Sequence, residues 1–144
     1  MSSFNLVDIT HQHLQLLCWW SDKPYNKVIR DAMDHNHGLT VEGPTTTIPI
    51  SLHKSTSVLV KTKAIELDTT MSNVINLFVE GYYQDKQDEV LARLRVVADD
   101  LKRLRGTLDS PTLNIPHNTR SNLMLQHKIL EDKLDSYYTI IGER

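Results

Sequence analysis

Two histidine pairs are the residues in this chain whose type and spacing come nearest to chemistry. His11-x-His13 and His35-x-His37, the latter beside Asp34, have metal-ligand spacing, and imidazole is a common ligand. Residues two apart on a helix do not share a face, so both pairs read as exposed polar histidines and no metal site is expected. Cys18 is the single cysteine and can form neither an intrachain disulfide nor a cysteine zinc cluster. It lacks a nucleophile signature and falls on an apolar stripe, which marks it as core. Trp19-Trp20 read as closing the core over the same helix rather than as a stacking platform. Arg93, Arg95, Lys102, Arg103 and Arg105 share a helix with Asp88, Glu89, Asp99 and Asp100, and mixed signs there mean a solvated face. No glycine-rich phosphate loop, paired catalytic carboxylates or nucleophile elbow occurs. The expectation is a protein that is not an enzyme and uses no cofactor.

The bulk numbers narrow what can position such groups. A chain of 144 residues suits one compact domain or two small ones. With 40% apolar and 6% aromatic residues, its core must lean on Leu, Val and Ile. A formal charge of -2 is unusual for a protein that holds nucleic acid by electrostatics, so any useful positive charge must be local or presented by two copies. The N-terminus lacks signal-peptide character. The run Leu16-Leu17-Cys18-Trp19-Trp20 is far shorter than the about 20 residues that cross a bilayer. A soluble, cytoplasmic protein without a membrane partner is expected.

Three sections separate along the chain. Residues 1–37 hold an extended run, Phe4-Asn5-Leu6-Val7, a helix around His11–Trp20, and a second helix from Tyr25 to about His35 that Pro24 introduces. Residues 38–44 form a linker punctuated by Gly38, Gly43 and Pro44. In residues 45–83, Ile48, Ile50 and Leu52 share one face of a strand, with Thr47, Pro49 and Ser51 on the other. Pro49 restricts that strand to an edge or a two-stranded ribbon. A helix from near Ser55 carries the stripe Leu59 or Val60, Lys63-Ala64 and Leu67. Asp68-Thr69-Thr70 breaks it, Asp tolerating the left-handed conformation better than most residues, and Thr69 or Thr70 can cap the next helix. That helix, from Met71 to about Tyr83, turns Val74, Ile75, Phe78 and Tyr82 inward. Residues 84–144 carry two heptad series, Val90, Leu94, Val97, Leu101, Leu104, Leu108 and Leu123, His127, Leu130, Leu134, Tyr137, Ile141. The loop between them, with Pro111 and Pro116, allows an antiparallel hairpin.

Strand, helix, turn and helix over 48–83 are too short to bury their own core, so the strand needs a mate. Here the chain resembles the ribbon-helix-helix DNA-binding proteins of the Arc and MetJ type. The likeness rests on Ile48-Pro49-Ile50-Ser51-Leu52, the Leu59-Val60, Ala64 and Leu67 stripe, and Asp68-Thr69-Thr70-Met71-Ser72-Asn73-Val74-Ile75. It covers about a quarter of the chain, and the motif is degenerate. It implies paired strands in the major groove and a helix start that grips a phosphate. By position it assigns base contacts to Thr47, Pro49 and Ser51, and phosphate contacts to Thr70, Met71 and Ser72, with Lys54, Lys61 and Lys63 adding backbone contacts. The strand departs from the family in lacking Arg, Lys, Asn or Gln, the side chains suited to reading base edges.

Residues 1–37 echo the unit with a shorter first helix, Val28-Ile29 standing for Val74-Ile75. If they are a diverged copy, the two strands pair within one chain, Asn5 becomes an outward reader beside Ser3 and Val7, and Lys23, Lys27 and Arg30 face phosphates. An unrelated helical hairpin remains an equal reading.

The expected fold is therefore mainly α with a short β-ribbon, one or two ribbon-helix-helix units followed by a C-terminal heptad hairpin. The expected partners are double-stranded DNA and a second copy of the chain, as a repressor or a plasmid or phage accessory factor. Oligomerisation would run through Ile48, Ile50 and Leu52 of the ribbon and Leu94, Leu101, Leu130 and Leu134 of the heptads. The alternative is an assembly module that binds no DNA and holds a protein partner through its C-terminal helices.

Overall fold

The computed structural model describes residues 2–108 and 117–142. The element order is β1 (Ser2–Val7), α1 (Asp8–Ser21), α2 (Tyr25–His35), β2 (Thr45–Ile50), α3 (Lys54–Glu66), α4 (Met71–Leu108) and α5 (His117–Ile141). The protein is mainly helical, with one two-stranded antiparallel sheet. None of its described helices is long and apolar enough to cross a membrane. The chain divides into two compact units, Met1–Val90 and Leu91–Arg144.

The first unit is a β-α-α arrangement written twice. Asp8 and Lys54 open the first helix of each copy, and Tyr25 and Met71 open the second; both pairs are 46 residues apart. The first helix of copy one is not the shorter of the two: α1 has 14 residues and α3 has 13. β1 and β2 pair with each other in a register where Ser3 faces Pro49, its own counterpart 46 residues on. A two-fold relation between the copies requires that pairing. Proline tolerates it only as a non-hydrogen-bonded pair, its nitrogen turned away from the partner strand.

Alternation along the ribbon separates core from surface. Phe4, Leu6 and Ile50 are buried and Ile48 is half-buried, while Ser3, Asn5, Thr47 and Pro49 are exposed. Pairing ends at Ile50, so Ser51 and Leu52 lie beyond the strand, Ser51 exposed and Leu52 half-buried. Val7 is on the outward parity yet is buried, because Gly43 of the linker lies against it. The mate of Ile48 and Ile50 is the chain's own β1. The expectation that Ile48, Ile50 and Leu52 hold two chains together is thereby corrected.

The ribbon's outer edge is closed by side chains from the second helices. Asn5 N–H donates to Ser72 Oγ (3.0 Å) and Val7 N–H to Asn76 Oδ1 (3.0 Å), while Asn76 Nδ2 donates to the Asn5 carbonyl (3.2 Å). Asn26, near the start of α2, accepts from His53 N–H at 2.7 Å. Buried Asn76 thus satisfies backbone groups that a lone ribbon would leave without partners, and buried Asn26 does the same for His53, the residue that leads into α3.

The helices follow from local chemistry. Asp22, Asn36 and Asp68 take positive φ (55°, 56° and 52°) and end α1, α2 and α3. Thr70 Oγ1 accepts from Asn73 N–H (3.1 Å), so Thr70 rather than Thr69 caps α4. Val60, Ala64, Val74, Ile75 and Phe78 are buried as the periodicity predicts. Leu67 is instead 49% exposed, since it follows the last residue of α3. Tyr83, not Tyr82, is the fully inward tyrosine of α4.

The section boundary expected at 83/84 has no structural break, because α4 runs on through it to Leu108. In the second unit Leu94, Leu101, His127, Leu134 and Tyr137 are buried, and His127 Nε2 donates to the Leu101 carbonyl at 2.8 Å. Leu94, Leu101 and Leu134, expected to serve oligomerisation, are already buried within the single chain. Leu104 and Leu130 occupy the same heptad series but are 38% and 47% exposed. The loop with Pro111 and Pro116, and the side chain of Leu108, lie outside the described residues.

Candidate nucleic-acid interface

The ribbon's exposed face is the surface that the sequence singled out. Asn5 stands directly opposite Thr47 in the register. Thr47 Oγ1 donates to Asn5 Oδ1 at 2.7 Å. With Oδ1 turned to the hydroxyl, a second lone pair on that oxygen and both Nδ2 protons are left unspent. An amide so held can meet the N6–H and N7 of adenine together. Ser3 and Pro49 lie beside this pair, and Ser51 stands just past the strand end.

The flanks of the ribbon are unlike each other. Asp8, at the start of α1, accepts a hydrogen bond from Thr46 Oγ1 (2.7 Å), and its N–H donates to the Pro44 carbonyl (2.9 Å). Lys54 holds the matching position at the start of α3 and is exposed. One end of the ribbon is therefore followed by an acid and the other by a base.

Several of the expected phosphate ligands are already engaged. Ser72 is half-buried and its Oγ accepts from the ribbon backbone. Lys63 is half-buried, bridges Glu66 at 3.0 Å and lies over the Phe78 ring at 5.8 Å, because its face of α3 turns toward α4. Lys23 is bonded to Asp31 (2.8 Å), which raises its pKa, and Arg30 donates to Ser55 (3.1 Å). Lys27, Lys54 and Lys61 are exposed. Thr70 and the half-buried Met71 sit at the first turn of α4, whose leading N–H groups carry the positive end of the helix dipole. The first unit as a whole holds seven Lys and Arg against eleven Asp and Glu.

Of the histidines expected to be exposed, His35 is exposed, whereas His11, His13 and His37 are half-buried. His11 is half-buried against the Tyr25 hydroxyl (3.0 Å), and burial lowers its pKa against the opposing charge of Asp8. His13 Nδ1 meets Glu80 Oε1 at 2.8 Å, shares that oxygen with Thr10, and stacks on Tyr83 at 3.8 Å. His35 and His37 both bond Asp85. The sequence clue to that convergence was Asn36, a residue suited to ending a helix between them. Cys18 is half-buried, and burial pushes its thiol up to about 12, which fits an inert core position. Trp19 and Trp20 are both half-buried.

Comparison of the chain with protein-family models, with curated proteins and with solved structures gave no match.

Proposed function

We propose that the protein binds double-stranded DNA as a ribbon-helix-helix pseudo-dimer, with both copies of the unit in one chain and the β1–β2 ribbon lying in the major groove. The observation that carries this reading is the Asn5–Thr47 pair, hydrogen-bonded across the ribbon at 2.7 Å and presented on its exposed face. An amide held against Thr47 is capable of two-point recognition, and adenine is its complement. Ser3, Thr47 and Ser51 add single hydroxyls. The starts of α2 and α4 flank the ribbon through its bonds to Ser72 and Asn76 and through the Asn26–His53 bond, and such helix starts favour phosphate.

Affinity from charge is small in this reading. Phosphate contacts by Lys27, Lys54 and Lys61 give a dependence of log K on log salt of about -3, at about -0.9 per phosphate. Association of copies through the exposed apolar residues of the second unit, Leu104, Leu125, Ile129 and Leu130, supplies the remainder by avidity. A regulatory or accessory role on DNA follows from the family resemblance.

A second reading is a protein-interaction module that leaves DNA alone. The acidic excess of the first unit and the carboxylate of Asp8 beside the ribbon favour it.

Selection from a duplex pool with a randomised core, followed by fluorescence anisotropy at two salt concentrations, separates the two. The DNA reading expects an enriched site containing adenine. Asn5→Ala should weaken that site by about 5- to 150-fold, the range of one bidentate base contact, and lessen discrimination at a single position. No enrichment, or an enriched site indifferent to both Asn5→Ala and Thr47→Val, removes the ribbon from the role and leaves the interaction module.

A further inference from the structure

We infer that His35, His37 and Asp85 form a binding site for one divalent first-row transition cation, such as Zn2+, on the first unit. The site is independent of the ribbon face and of the DNA reading. His35 Nε2 and His37 Nδ1 approach the same carboxylate oxygen, Asp85 Oδ2, at 2.5 and 2.8 Å. The three potential ligand atoms lie within 4.8 Å of one another.

Helix termination makes this convergence possible. His35 is the last residue of α2, and Asn36 follows in the left-handed conformation at φ 56°. The chain reverses there, so an i,i+2 pair that would diverge on a continuous helix comes to one side. The loop is then pinned on α4. Leu39 N–H donates to the Leu77 carbonyl at 3.0 Å, and the His37 carbonyl rests on Gly81, where any Cβ would stand 1.8 Å from that oxygen. Asp85 is one helical turn beyond Gly81. The His35 ring is further set edge-on against Tyr82, with centroids 5.4 Å apart. Both imidazoles are thus oriented by the fold rather than by chance surface contact.

Two imidazole nitrogens and one carboxylate oxygen make a donor set suited to Zn2+, Ni2+ or Cu2+ and poorly suited to Mg2+ or Ca2+. Two N–H protons now bridge the rings to Asp85. A cation takes their place when each neutral ring carries its proton on the other nitrogen, and the carboxylate moves out by several tenths of an ångström to reach metal-ligand spacing. Water completes the coordination. Asp34, the acid nearest in sequence, is not one of the converging ligands; it lies 3.7 Å from Arg30. A bound cation ties the end of the first copy to the second helix of the other.

The test is calorimetric titration of the metal-stripped full chain with Zn2+, alongside the EPR spectrum of the Cu2+ form. One cation per chain is expected, with hyperfine structure from two nitrogens and a melting temperature raised by Zn2+. Asp85→Asn should weaken binding at least tenfold, and His35→Gln with His37→Gln should abolish it with the circular dichroism spectrum preserved. His53→Gln should leave it unchanged. Absence of stoichiometric binding at micromolar Zn2+, or binding that survives the double histidine substitution, overturns the site. Should the double variant fail to fold, the exposed Asp85→Asn variant decides alone: unchanged binding overturns the site.

Discussion

Gly81→Ala sets two physical effects against each other. Inside a helix, Ala is better than Gly by about 1 kcal/mol, and propensity alone predicts a more stable protein. At Gly81, however, the new Cβ would stand 1.8 Å from the His37 carbonyl oxygen and 2.5 Å from its carbon, where real Cβ contacts are essentially never under 3.0 Å. The obstacle is backbone, so no side-chain rotation relieves it. The loop must retreat by more than 1 Å, straining or breaking the Leu39–Leu77 bond and the His37–Asp85 contact. Overpacking of this kind costs about 1–3 kcal/mol and a lost hydrogen bond about 1 kcal/mol. Against the gain in propensity, net destabilisation is about 1–3 kcal/mol. For a unit of this size that lowers the melting temperature by about 5–20 °C.

The same helix contains its own control. Gly106 has nothing within 4 Å of where a Cβ would be, so Gly106→Ala should stabilise by up to about 1 kcal/mol. Urea and thermal unfolding of both variants, followed by far-ultraviolet circular dichroism, give the two signs. A Gly81→Ala protein as stable as the parent would refute the placement of the 37–39 loop on α4, and with it the reason for His37 standing over Asp85.

Other expectations concern the ribbon's edge and the titrating groups. Asn76→Ala leaves the Val7 N–H without its acceptor in a buried setting and should cost about 1–3 kcal/mol in urea unfolding; Ser72→Ala, at an exposed part of the edge, should cost less. Asp85 is held below its ordinary carboxylate value in the folded state, so its contribution to stability is complete above the unfolded value of 3.8 and is lost as pH falls through the lower folded value. Asp85→Asn should therefore flatten the acid end of a plot of urea midpoint against pH. His11 has the opposite chemistry and the same direction: burial lowers its pKa below 6.5, so the unfolded chain takes up the proton first and stability falls as pH drops from 6.5 toward the folded value. His11→Gln should remove that slope.

Much of this was legible in the residues, and the remainder was hidden for identifiable reasons. Period-2 alternation separated Thr47 and Pro49 from Ile48 and Ile50, and turn chemistry placed the starts of α2 at Tyr25 and α4 at Met71. The strand begins at Thr45, ahead of the apolar alternation that starts only at Ile48. Val7 has outward parity, and no sequence rule foretells a linker folding back over it. The continuation of α4 past Tyr83 was obscured by a change in apolar period, although Gln84-Asp85-Lys86-Gln87 contains no helix breaker. The spacing rule that sets His35 and His37 on different faces holds only inside a helix, and α2 ends between them, at Asn36.

A pseudo-dimer within one chain, as proposed above, has a consequence that a homodimer does not share. When two identical chains form such a ribbon, each outward position appears twice and any site it reads is two-fold symmetric. Here the positions 46 residues apart have diverged: Asn5 answers to Ser51, Asp8 to Lys54, Asn26 to Ser72 and His35 to Gly81. An amide on one strand is matched by a hydroxyl at the related place, and an acid at one shoulder by a base at the other. Under the DNA reading the ribbon is a directional reader, suited to a site without a palindrome, with Asn5 choosing one half and Lys54 facing phosphates on the other. Under the inferred cation site His35 and Gly81 also differ in use: one would supply a ligand atom, and its counterpart supplies the bare backbone on which the His37 loop rests. A symmetric pair of chains would have to carry both features twice, and a position cannot be a histidine and a glycine at once.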